Sequence, residues 1–365
     1  MEFKGRVCVT GASGFLASWL VKRLLQSNYY VVGTVRDPSN ENKLAHLWKL
    51  DGAKERLKLV RAELTEEGSF NEAVAGCDGV FHTASPVFGS VSDPMANMVE
   101  PAVNGTLNVL RSCKRSPSLR RVVLTSSSSA VRARDDIDPD VPLDESSWSS
   151  VELCQRFQIW YALSKTLAER AAWEFCTQNN IDLVTVLPSF VVGPSLPPEL
   201  CSTASDVLGL LKGETHRFEW QGRMGYVHID DVASCHILVF EHEDAGGRFL
   251  CSADVVENNE LAALLSKWYP TLPIPNRPPQ ALMMLHLLSP STYGLYMVMF
   301  MDKNVGNNSS NSRLICKGGG GDQSAIAACV AVLSLLIIKS PTSKKRMEKS
   351  RRGEVGEKLT VLNVC

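Results

Sequence analysis

Six short apolar runs rich in β-branched residues recur along the first 190 residues, and a helical pattern follows most of them. They are Val7 to Val9, "YYVVGTV" (29–35), "LKLVRAEL" (57–64), "GVFHTAS" (79–85), "RRVVLTSS" (120–127) and "DLVTVLPS" (182–189). The helical stretches include "PAVNGTLNVLRSC" (101–113) and "YALSKTLAERAAWEF" (161–175). Strands alternating with helices need crossover connections, which give a parallel sheet with helices on both faces. The expected fold is therefore α/β, a Rossmann-type doubly wound sheet. In such sheets ligands sit outside the carboxyl ends of the strands. Gly11, Arg36, His82 to Ser85, Ser126 to Ser128 and Pro188 all fall at those ends.

The first unit reads "VCVTGASGFLASWLVKRLL" (7–25). After the strand come Thr10, Gly11, Ala12, Ser13 and Gly14, and from Phe15 the apolar residues Phe15, Leu16, Trp19, Leu20, Leu24 and Leu25 take a helical period. A sharp strand-to-helix turn at glycine exposes the helix's first N–H groups, which with the helix dipole suit a pyrophosphate. Gly11 permits the turn, Gly14 lets the phosphate approach the backbone, and Ala17 allows close packing. A ligand-free connection would need none of this context, so a dinucleotide is expected. The second strand ends at Val35 and is followed by Arg36, with Lys43 a turn or two later. An Arg here suits a 2′-phosphate, and NADPH is the expected cofactor. Asp37 is the competing feature, either as a ribose ligand or as a surface ion-pair partner of Arg36.

"WYALSK" puts Tyr161 and Lys165 four apart, on one helical face, about 34 residues after the serine run "TSSSSA". A carbonyl that receives hydride develops charge on oxygen and needs a proton donor. A phenol, with an ordinary pKa of about 10, needs an adjacent ammonium to serve in that role near neutrality. A serine hydroxyl can orient the carbonyl against the same phenol.

"TGASGFLA", "TVRDP", "FHTASPV", "VVLTSS", "YALSKTLAE", "LPSFVVGP" and "YVHIDDVA" together resemble the extended short-chain dehydrogenase/reductase family, in its plant dihydroflavonol-reductase and cinnamoyl-CoA-reductase branch. The resemblance covers residues 4–275. It implies a catalytic Ser127–Tyr161–Lys165 triad, with Lys165 also on the nicotinamide ribose. It implies cofactor contacts at Gly11, Ser13, Gly14, Phe15 and Leu16, with Arg36 and Lys43 at the 2′-phosphate. Glu63 and Leu64 would lie on the adenine side, where relatives more often carry Asp in place of Glu63. The nicotinamide end would be held by Thr83, Ala84, Ser85, Pro188 and Val191. No metal is implied.

Three longer phrases, "VCVTGASGFLASWLVKRLL", "KLAHLWKLDGAKERL" and "SLPPELCSTASDVLGLLKGET", are most similar to members of this branch that reduce a ketone on a plant polyketide pyrone. For those members the product feeds pollen-wall sporopollenin. "IWYALSK" stands where cinnamoyl-CoA reductases read "NWYCYGK", which argues against a CoA thioester. Arg132 stands where dihydroflavonol reductases carry the Asn or Asp that reads the flavonoid B ring, so Arg132 is the candidate substrate residue. Dihydroflavonol or cinnamoyl-CoA reduction remains the alternative. A sugar-nucleotide epimerase or dehydratase is a rival, although "TSSSSA" lacks the dehydratases' acidic residue.

Composition matters chiefly at the carboxyl end. The formal charge of −1 points to no nucleic-acid partner, and the eleven cysteines are scattered singly, without a CxxC pair. The first strand begins within seven residues of Met1, leaving no room for a signal peptide, which favours the cytosol. Residues 276–365 carry +7 against −8 for residues 1–275, and no tryptophan lies beyond residue 275. That break divides the chain into a reductase domain, 1–275, and an atypical tail, 276–365. A substrate lobe would come mainly from 190–275, lacking the elements with which relatives close it. The tail's "SAIAACVAVLSLLIIKS" is short of a bilayer span, and disorder is the expectation. An anchor at the endoplasmic reticulum, and an NADPH-binding isoform impaired by its tail, are the alternatives left open.

Overall fold

The structure is a computed structural model, and residues 3–86, 93–136, 143–215 and 223–275 are described. The tail 276–365, with its apolar stretch and basic run, lies outside the described residues.

Ten strands among the described residues form two sheets. The larger contains β1 (Arg6–Val9), β2 (Tyr30–Val35), β3 (Leu57–Arg61), β4 (Gly79–His82), β5 (Arg121–Thr125), β6 (Leu183–Pro188) and β9 (Gly247–Cys251). The smaller contains β7 (Phe190–Val192), β8 (Arg223–His228) and β10 (Asp254–Glu257). The large sheet runs β3-β2-β1-β4-β5-β6-β9, and every pairing in it is parallel. The order reverses between β1 and β4, which opens a crevice at their carboxyl ends.

Alternation along the strands builds a core on each face. Val7 and Val9 of β1 and Val123 of β5 point to one side, joining Trp19, Leu20 and Leu24 of helix Phe15–Gln26 and Val232 and Phe240 of helix Ile229–Glu241. Cys8, Val122 and Leu124 point to the other, joining Val109, Leu110 and Cys113 of helix Glu100–Lys114 and Ala172 and Cys176 of helix Trp160–Asn179. Each fully buried Leu or Val side chain contributes about 1.5–3 kcal/mol. Helix Trp160–Asn179 ends where Asn180 takes a left-handed conformation, φ 52°, a common helix stop. Buried Arg121, which opens β5, pairs with Asp182 at 2.8 Å and donates to the carbonyls of Val239, His242 and Glu243. It thereby fastens the carboxyl end of helix Ile229–Glu241 to the sheet, where a cation suits the dipole.

The small sheet has its own core. Tyr226 and Met224 of β8 pack with Val207, Leu210 and Leu211 of helix Ser202–Leu211 and with Leu261 and Leu265 of helix Asn258–Trp268. This second layer sits beyond the end of β6, because β7 follows Pro188 after a single residue. It therefore faces the same edge as the crevice. No described helix is long and apolar enough to cross a membrane.

Candidate active site at the carboxyl edge of the sheet

The turn between β1 and its helix is built as the glycines require. Gly11 has φ +67°, and a Cβ there would lie 3.1 Å from the Ala84 side chain. Gly14 is the helix N-cap and supplies no side-chain cap, so the first amides, at Phe15 and Leu16, have no acceptor within the helix. Uncapped amides at the positive end of a dipole, beside a turn with no room for a side chain at Gly11, fit a dinucleotide pyrophosphate.

Thr10 and His82 fix this turn to the neighbouring strand end, and neither was singled out from sequence for that role. The Thr10 hydroxyl accepts from the amides of Thr83 (3.1 Å) and Ala84 (3.0 Å) and lies 2.9 Å from His82 Nδ1. With its acceptor side used, its proton goes to Nδ1, so His82 is neutral and protonated at Nε2. Burial, with Lys165 nearby, lowers the His82 pKa to about 3. The Thr83 hydroxyl donates in turn to the Thr10 carbonyl, 2.5 Å away. On the other side, the Gly11 amide donates to Thr34 Oγ1 of β2. Thr83, Ala84 and the glycine turn thus form one unit.

Arg36 directly follows β2. Asp37 does not pair with it: the Asp37 carboxylate accepts from the amide and hydroxyl of Ser39, which holds its pKa below the usual value. Lys43, in the first turn of helix Glu41–Trp48, faces Glu199 at 3.7 Å, both exposed. Glu63 accepts from the Leu64 amide (3.0 Å), so this carboxylate and amide already occupy one another.

Tyr161 and Lys165 lie in the first two turns of helix Trp160–Asn179. Tyr161 is 44 % exposed, unusual for an aromatic residue on a helix otherwise packed into the domain. Lys165 Nζ donates to the Thr125 carbonyl at the end of β5, 3.4 Å away. Ser127, two residues on, accepts from the Ser129 amide at 3.1 Å, a bond that leaves its own proton uncommitted. The short helix Ser129–Arg132 packs against helix Trp160–Asn179, drawing the serine run towards the Tyr–Lys face. A cavity lined by Leu64, Ala84, Ser85, Ser126 and Lys165 connects three strand ends. Pro188, ending β6, receives the Ser128 amide on its carbonyl, and the Val191 carbonyl receives the Thr203 hydroxyl.

Beneath this face lies a network that sequence reading missed. Glu169, one helical turn beyond Lys165, is buried and accepts from Ser126 (2.6 Å), Thr185 (2.9 Å) and Arg248 Nε (2.8 Å). Arg248 also donates to the carbonyls of Glu145 and Ser147 and stacks on Trp148, 3.7 Å from the ring centroid. The signal was the spacing Tyr161, Lys165, Glu169, a row on one helical face. Thr125, in turn, bonds through its hydroxyl to His236 Nε2, whose Nδ1 donates to the Val232 carbonyl. Burial lowers the His236 pKa to about 4.

A parallel sheet with a glycine turn under an uncapped helix at its switch point is a Rossmann-type fold, that of NAD(P)-dependent reductases. The chain belongs to the NAD dependent epimerase/dehydratase family, which matches residues 7–251. Within it, the chain is 72 % identical over 276 residues to tetraketide alpha-pyrone reductase 1 of Arabidopsis thaliana, covering 76 % of this chain and 85 % of that protein. Among solved structures, vestitone reductase of alfalfa is 38 % identical with TM-score 0.64, covering 80 % of this chain and 89 % of that one. The NADPH complex of the yeast methylglyoxal/isovaleraldehyde reductase Gre2 is 28 % identical with TM-score 0.65, covering 75 % and 86 %.

Proposed function

We propose that this protein reduces the ketone carbonyl of a plant tetraketide α-pyrone with NADPH, in the synthesis of sporopollenin precursors. The observation that carries the reading is the Tyr161–Lys165 face beside Ser127, at the edge where the glycine turn and the Thr83–Ser85 strand end meet. Identity of 72 % to a tetraketide alpha-pyrone reductase supports the substrate class. When bound, the reduced nicotinamide supplies the hydride.

The chain's residues do the rest. The amides at Phe15 and Leu16 and the turn at Gly11, Ser13 and Gly14 bind the pyrophosphate, and Arg36 with Lys43 binds the 2′-phosphate. Binding of the adenine exchanges the Glu63–Leu64 contact for contacts to the base. Thr83, Ala84, Ser85, Pro188 and Val191 border the nicotinamide end. Ser127 donates its free proton to the ketone oxygen, orienting the carbonyl. The Tyr161 phenol gives its proton to the same oxygen as negative charge develops there. Lys165, held by the Thr125 carbonyl, stabilises the phenolate that remains and binds the ribose hydroxyls.

The test is a substrate panel on the purified full-length chain. Tetraketide pyrone, dihydroquercetin and feruloyl-CoA are each offered with NADPH and with NADH. Turnover of the pyrone with NADPH is the expected result. Preference for dihydroquercetin or feruloyl-CoA overturns the substrate, and preference for NADH overturns the role of Arg36.

A further inference from the structure

A second cavity lies between the ends of β6 and β9 and the small sheet, and begins at Ser128, beside Ser127. Its walls are mostly apolar, with Val131, Leu187, Met224 and Leu250. Beyond Ser128, three polar residues break this lining: Arg132, Ser189 and Ser252.

The hydroxyls of Ser189 and Ser252 are buried and have no hydrogen-bond partner among the described residues. They converge because position 225 is glycine. A Cβ at Gly225 would lie 2.8 Å from Ser252 Oγ and 3.1 Å from Ser189 Cβ. Buried hydroxyls that line a cavity are satisfied by solvent or by a ligand that enters it, and a ligand that displaces the solvent has to supply acceptors in its place. Arg132, at the end of helix Ser129–Arg132, has no ion-pair partner among the described residues. A cation and two unmet donors in an apolar pocket fit a planar, oxygen-rich ring that carries delocalised negative charge.

The substrate class proposed above has that chemistry. A pyrone formed by lactonisation of a poly-β-keto chain carries an enolic hydroxyl conjugated with the lactone carbonyl. Such a group is a vinylogous carboxylic acid, and its anion spreads charge over both oxygens. We propose that Arg132, Ser189 and Ser252 form a subsite that binds the ionised enolate form of the hydroxypyrone ring, with its alkyl chain along the apolar walls. The subsite rests on the pyrone reading and adds the ionic state that the enzyme selects. Arg132 pairs with the enolate, and the two serines donate to the lactone oxygens.

The experiment measures binding rather than turnover. The NADPH-loaded full-length protein is titrated at neutral pH with a 4-hydroxy-6-alkyl-2-pyrone lacking the reducible ketone, and with its 4-O-methyl ether. The free hydroxypyrone is expected to bind about ten- to a hundredfold more tightly than the ether, the range of a charge-assisted hydrogen bond. Arg132→Gln removes that discrimination while NADPH affinity is kept, and Arg132→Lys restores part of it. Ser189→Ala with Ser252→Ala weakens the hydroxypyrone several-fold, which keeps the proposal testable if Arg132→Gln does not fold. Equal binding of pyrone and ether, no binding of either, or discrimination that survives Arg132→Gln overturns the subsite. If discrimination appears as expected but the ketone-bearing pyrone is not reduced, the subsite stands and the proposed reaction fails.

Discussion

Ser126 donates a 2.6 Å hydrogen bond to the buried carboxylate of Glu169, tying the residue before Ser127 to the helix that carries Tyr161 and Lys165. The same carboxylate is held by Arg248 of β9 and Thr185 of β6. Four segments around the site are thus fixed through one ion pair. Breaking a buried pair by removing one charge costs about 3–5 kcal/mol, whereas replacing both by apolar residues is often neutral. Glu169→Gln should therefore lower unfolding stability by about 3 kcal/mol. Glu169→Leu with Arg248→Met should recover most of that loss but not the turnover, because Ser126 still lacks its acceptor. Denaturant titration alongside kcat separates the two effects.

Tyr161→Phe keeps the ring and removes the proton. General acid catalysis is worth about a hundred- to ten-thousandfold, so kcat should fall by that order while NADPH affinity is unchanged. Steady-state rates and cofactor titration of the same preparation check this, and a variant retaining most of its turnover excludes the phenol as donor.

Arg36 is not neutralised by Asp37, whose carboxylate is occupied by Ser39. Arg36→Ala should raise KM for NADPH by about tenfold or more, the worth of a charge-assisted phosphate contact, and leave KM for NADH unchanged. A parallel loss for both cofactors would show that Arg36 does not read the 2′-phosphate.

Two buried histidines give the protein an acid limit. His82 and His236 have pKa values lowered to about 3 and about 4, mainly by burial, against about 6.5 in the unfolded chain. Below pH 6.5 the unfolded state binds protons that the folded state refuses. Their contribution is complete above 6.5 and falls as pH drops towards those folded values. Each histidine costs about 1.4 kcal/mol per pH unit in that window. Urea denaturation should show a loss of about 3 kcal/mol between pH 7.5 and 5.5. His236→Gln should flatten that slope.

Much of the fold was legible because it rests on local signals. β1 to β6 are apolar β-branched runs, and the Gly11 turn and the Tyr161–Lys165 spacing are short-range patterns. β9 was not legible: "GRFLC" opens on Gly247 and Arg248, and its place beside β6 is set by the long-range pair of Arg248 with Glu169. The small sheet was hidden for the same reason, since β8 and β10 pair across a helix and β9. Thr10 and His82 stand 72 residues apart, so their bond has no trace in spacing. The resemblance pointed to Arg132, but only the fold brings Ser189 and Ser252 into the same cavity.

The most direct test of the proposed reaction follows the hydride itself. NADPH carrying two deuterons at C4 of the nicotinamide is incubated with the full-length protein and the tetraketide pyrone, and the product is analysed by mass spectrometry and NMR. The account predicts one deuterium, on the new carbinol carbon, with wild-type protein, and only traces of product with Tyr161→Phe in the same time. Unlabelled product, label elsewhere on the pyrone, or equal product from Tyr161→Phe would contradict it.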